Sequence, residues 1–73
     1  MPTVDWEDLT ERELDVLRLA AHAFSNREIA SALGLSVKTV EIHKAKGMRR
    51  LGLSGRRELL QFALKHGWLD QER

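Results

Sequence analysis

The stretch SNREIASALGLSVKTVEIHKAK, residues 25–46, decides the fold. Ser25 followed three residues later by Glu28 is a capping box, in which each side chain satisfies a backbone N–H left open at a helix start. The helix it opens is about eight residues long and carries Ile29, Ala30 and Leu33 inward. Gly34 then fits a left-handed residue just past a helix end. Ser36 is the next N-cap candidate, and a longer helix runs from Val37 to about Leu51 with Val37, Val40, Met48 and Leu51 on its inner side. Ile29, Leu33, Leu35 and Val40 form the seam between the two helices. Ala30 falls where they cross closely, and Gly34 lets the chain reverse within a few residues.

The rest of the chain builds around this pair. Thr10 and Glu13 form another capping box, and Leu9, Leu14, Val16, Leu17, Ala20, Ala21 and Phe24 make an apolar helical stripe, which predicts a helix from about 11 to 22. Gly52 and Ser54-Gly55 close the long helix. A last helix spans about 56 to 66 and ends at Gly67, with Lys65 and His66 in the favourable final turn. Trp68 and Leu69 are expected to fold back onto the core. No alternating run suggests a strand. The expectation is an all-α, four-helix bundle over residues 9–69, with 1–8 an acidic lead-in or linker stub and 70–73 a C-terminal tail.

Seventy-three residues leave room for one small domain. Cysteine is absent, which excludes disulfides and thiolate metal sites. No apolar run approaches the roughly 18 residues of a membrane span, and no signal-peptide pattern opens the chain. The net charge of +1 hides a strong polarity. Residues 1–15 hold six acids and one base; residues 36–57 hold seven bases and one acid. The basic stretch calls for an anionic partner, and the acidic one is expected to face away from it. His22, His43 and His66 lack metal-ligand spacing, and His43 reads as a structural histidine at the seam. Glu13 and Glu28 are explained as caps. No nucleophile–base pair or phosphate loop is present, so neither enzyme activity nor a metal or cofactor is expected.

Counted from Asn26, the small residue is fifth, the glycine ninth and an aliphatic fifteenth, a spacing that resembles the helix-turn-helix of DNA-binding proteins. In the long helix, Lys38, Glu41, Ile42, Ala45 and Arg49 share one exposed face. It is basic at both ends and small in the middle, so that it could sit deep in a major groove. Lys44 and Lys46 flank it. Backbone N–H groups near Ser25 and Asn26, and near Ser36, can meet phosphates, with Arg27, Lys38, Thr39 and Lys46 as side-chain partners. Glu41 could accept from cytosine N4 or repel phosphate; it could equally pair with Lys38 or Lys44. The last helix carries more apolar surface than one core face needs. Leu59, Phe62 and Ala63 suit the core, which leaves Leu60 and Leu64, with Arg56 and Arg57 beside them, for a second copy.

The stretch from Leu9 to Leu53 is similar throughout to the GerE/LuxR-type DNA-binding domain. Leu9, Thr10, Arg12 and Glu13 match its opening; Ser25 to Ala30 match its Ser-Asn-basic-Glu-Ile-Ala. Ser36, Thr39, Val40, His43 and Lys44 match its central motif. Met48, Arg50, Leu51, Arg56, Glu58, Leu59, His66 and Gly67 match the remainder. TVEIHKAK, residues 39–46, resembles the response regulators related to FixJ. The resemblance implies a dimeric regulator that binds double-stranded promoter DNA in the bacterial cytoplasm, with its third helix in the major groove and its fourth pairing with a second copy. In most members such a domain is the C-terminal output of a response regulator, behind a receiver domain, or of an autoinducer receptor; in a few it is the whole protein, and RNA polymerase is a further partner to expect. A helix-turn-helix that contacts only protein, such as RNA polymerase, is the alternative; Glu41 and Gly47 keep it open.

Two residues depart from the family pattern. Ala23 stands where a glycine is usual, and a left-handed alanine costs about 1 kcal/mol, so the first helix is expected to end differently. Gly47 stands where an aliphatic residue is usual. It costs about 1 kcal/mol of helix propensity and removes a core side chain, so replacing it with Val or Ile is expected to raise the melting temperature.

Overall fold

The computed structural model describes residues 9–69. The expected segments 1–8 and 70–73 lie outside the described residues. Four helices follow in order: α1 (Glu11–Ala21), α2 (Asn26–Leu33), α3 (Val37–Leu51) and α4 (Arg56–Lys65). No described residue lies in a strand, and no described helix is long and apolar enough to cross a membrane.

The helix starts follow the caps in the sequence. Thr10 N–H donates to Glu13 Oε1 and Glu13 N–H to Thr10 Oγ1, both at 3.1 Å. Ser25 and Glu28 exchange the same pair at 2.8 and 3.1 Å. At α3, Thr39 N–H donates to Ser36 Oγ at 3.0 Å. α4 begins at Gly55 without a side-chain cap; there Glu58 reaches back to accept from Ser54 N–H at 2.7 Å.

All four helices end alike. The amide that follows the left-handed turn returns to a carbonyl in the last turn: Phe24 to Leu19, Leu35 to Ala30, Leu53 to Met48 and Trp68 to Ala63. The residue before each of those amides is left-handed, with φ near 70°: Gly34, Gly52 and Gly67, but Ala23 at the end of α1. The first helix therefore does not end differently. It keeps the turn that favours glycine and accepts the steric cost of a Cβ there.

α1 is the wall shared by two apolar clusters. Leu17 faces Leu51, Leu59, Ala63 and Trp68; its neighbour Val16 faces Ile29, Ala30 and Val40. Trp68 is 3% exposed and Leu69 packs beside it, so the chain end does fold back onto the core. Two apolar residues expected inside are not. Phe24 is 40% exposed because it follows the turn that ends α1, and Val37 is 39% exposed because it opens α3 ahead of the crossing.

Gly47 is buried in the middle of α3 where α1 passes. A Cβ on Gly47 would lie 2.8 Å from Leu17 Cδ1 and 3.2 Å from Leu17 Cγ. The expected void does not exist, because Leu17 already fills the space an aliphatic side chain would take. The contact opposes the expected stabilisation by Val or Ile, since either would have to displace Leu17, which is itself fully buried. Beside this contact lies Glu13, 2% exposed, whose Oε1 sits 3.2 Å from Arg50 Nε. One carboxylate caps α1 and anchors the last turn of α3.

Candidate nucleic-acid interface

The packing of α3 on α1 and α2 leaves one of its faces outward. Lys38, Glu41, Ile42, Ala45 and Arg49 are all exposed, as is Lys46 at the edge. Ile42, 45% exposed, is an apolar side chain standing among the cations of this face. Among the described residues, Lys38, Lys46 and Arg49 make no ion pair. Neither does Glu41, so its expected alternative, pairing with Lys38 or Lys44, is not realised. Among the described residues, no carboxylate pairs with the cations of this face.

The residues beside this face hold it in place. Ser36 Oγ donates to Thr39 Oγ1 at 2.9 Å, which fixes the first turn of α3. Ser36 takes up one first-turn amide; the others, without partners in the helix, point beyond its end. Arg27 is exposed in the first turn of α2. Asn26 and Lys44 are half-buried and meet across the α2–α3 crossing, Lys44 Nζ donating to Asn26 Oδ1 at 3.4 Å. This long contact was not legible, because it joins residues 18 apart in sequence.

Among the described residues, Arg50 is the one base of the polarised stretch paired with a carboxylate, and it stays half-exposed while its partner Glu13 is buried. Glu13 belongs to the acidic stretch, so that stretch does not lie wholly away from the basic one. Arg12 and Asp15 pair at 3.7 Å on the outside of α1, an exposed contact worth little. On α4, Arg56 and Arg57 are exposed, with Leu60 and Leu64 at 43% and 59%.

The chain's likeness to known proteins agrees with this geometry. Residues 7–63 match the family of bacterial regulatory proteins described as the luxR family, or GerE. Over 62 residues the chain is 48% identical to the oxygen regulatory protein NreC of Staphylococcus aureus strain JH9, and equally to that of strains JH1 and USA300. The match covers 85% of this chain and 29% of each relative, so the chain spans less than a third of the curated relatives it matches. The matched residues run from before α1 into α4 and contain the whole helix-turn-helix. The chain belongs to the luxR family of bacterial regulatory proteins, and it is a helix-turn-helix domain of that family's DNA-binding transcription regulators.

Proposed function

We propose that this domain binds promoter DNA as a symmetric dimer and serves as the output domain of a two-component response regulator in the bacterial cytoplasm. α3 lies in the major groove. Glu41, Ile42 and Ala45 face base edges, and Lys38, Thr39, Lys46 and Arg49 reach phosphates. Ser25, Asn26, Arg27 and Ser36 hold the flanking backbone through the first turns of α2 and α3. Residues 9–69 form the working unit. Leu60 and Leu64, with Arg56 and Arg57, pair α4 with a second copy, which sets the half-site spacing. An upstream receiver controls this pairing, and RNA polymerase is the downstream protein contact. The reading needs no catalytic step and no cofactor.

The observation that carries it is the outward face of α3, where three cations without an ion pair among the described residues surround an exposed isoleucine and an alanine. The protein-only alternative loses one of its two supports, because Gly47 is explained by packing against Leu17. Fluorescence-anisotropy titration against random duplex DNA at rising salt separates the readings. DNA binding predicts that affinity falls steeply, because each neutralised phosphate adds about 0.9 to the slope of log K against log salt. A flat response overturns the proposal.

A further inference from the structure

Beside the outward face of α3 lies a cleft of about 440 Å³. It opens where the first turns of α2 and α4 meet the middle of α3, and its polar lining includes Ser25, Asn26, Lys44 and Arg56. Lys44 is three residues on from Glu41, so the cleft borders the reading face along one edge of the helix. The Asn26 contact holds the Lys44 ammonium at this border, and Arg56 lines the same cleft from the start of α4. Two acids lie within two residues of the lining in sequence, and neither is in it: Glu28 Oε1 accepts from Ser25 N–H at 2.8 Å, and Glu58 Oε1 accepts from Ser54 N–H and Oγ at 2.7 and 3.1 Å. The cleft therefore presents two cations and a carboxamide, with no carboxylate in its lining.

We propose that this cleft seats one backbone phosphate of the bound duplex, clamped between Lys44 of α3 and Arg56 of α4. The inference rests on the DNA-binding reading and deepens it. It moves Arg56 from the protein–protein surface to the DNA and makes α4 a direct contributor to the DNA interface. The clamp joins three helices, so the phosphate it holds fixes the angle at which α3 enters the groove. A phosphodiester and a free phosphate share the required chemistry, and the experiment tells them apart.

A duplex selected by the wild-type chain from a random pool is remade with each backbone phosphate in turn replaced by a neutral methylphosphonate. The wild type is expected to lose affinity at several positions per half-site, and at the clamped one about tenfold, the effect of one charge-assisted contact. The double variant Lys44→Gln, Arg56→Gln is expected to lose less than twofold at that same position. A weakened dimer would lower affinity at every position alike and would not erase the response at one. A double variant with the wild-type response at every position overturns the clamp. Inorganic phosphate, followed by amide shifts at Asn26 and Arg56, provides the second arm. Saturation there, with no position at which the double variant loses the wild-type response, overturns the DNA ligand in favour of a free anion. A wild type that binds no duplex instead overturns the DNA-binding reading itself.

Discussion

The two faces of α3 follow opposite rules. On the inner face, Gly47 gives up a side chain so that Leu17 can fill the crossing with α1, and Arg50 turns to the buried Glu13. On the outer face, Lys38, Lys46 and Arg49 have no ion-pair partner among the described residues, and Ile42 stands half in solvent. One helix thus carries groups that the fold satisfies and groups that it leaves open. The difference shows where function lies: charge that the fold has neutralised serves stability, and charge it has not is available to a ligand.

Core variants should break the comparison most strongly. Leu17→Ala is expected to cost about 2–5 kcal/mol, the range for emptying a buried leucine site. Adding Gly47→Ala to it should recover part of that loss, because the new methyl enters the vacated space and gains helix propensity. In the wild-type background, Gly47→Val should destabilise by about 1–3 kcal/mol through overpacking. Urea denaturation measures all three, and a Gly47→Val variant more stable than wild type would mean that the crossing is loose.

Glu13→Gln comes next. The amide can still accept from Thr10 N–H, but it loses the charge facing Arg50, and a loss of about 1–2 kcal/mol is expected. A thermal transition unchanged from wild type would show that the pair contributes nothing.

Ala23→Gly should stabilise by about 1 kcal/mol, since it relieves the left-handed alanine. For a domain of this size that is about 4–8 °C in Tm. An unchanged Tm would show that flexibility gained in the unfolded chain offsets the relief. The smallest stability effects belong to the outer face. Lys38→Ala and Ile42→Ala should each lie within about 0.5 kcal/mol of wild type while altering duplex binding, Lys38→Ala for every sequence and Ile42→Ala in sequence preference.

Much of this was legible in the sequence, and the reason is local. Caps and left-handed turns involve residues three to six apart, so Thr10, Ser25, Ser36, Gly34 and Gly52 mark the ends of helices without help from the fold. The outward face of α3 was legible because helical periodicity alone assembles it. Contacts between distant residues were not. Glu13 looked like a cap and nothing more, since its second partner lies at the far end of α3. Gly47 looked like a defect because helix propensity is local, whereas its benefit is the approach of Leu17. Phe24 and Val37 kept the apolar period yet fell at helix ends, where no neighbour covers them fully.

The central claim is that the α3 cations outside any ion pair bind DNA and the ion-paired one, Arg50, holds the fold. The most direct test is the salt dependence of duplex binding, measured side by side for wild type, Lys38→Ala and Arg50→Ala under conditions where all three are folded. The account predicts that Lys38→Ala lowers the slope by about 0.9, one phosphate contact, and that Arg50→Ala leaves the slope at the wild-type value. A slope that falls for Arg50→Ala and stays unchanged for Lys38→Ala would contradict it.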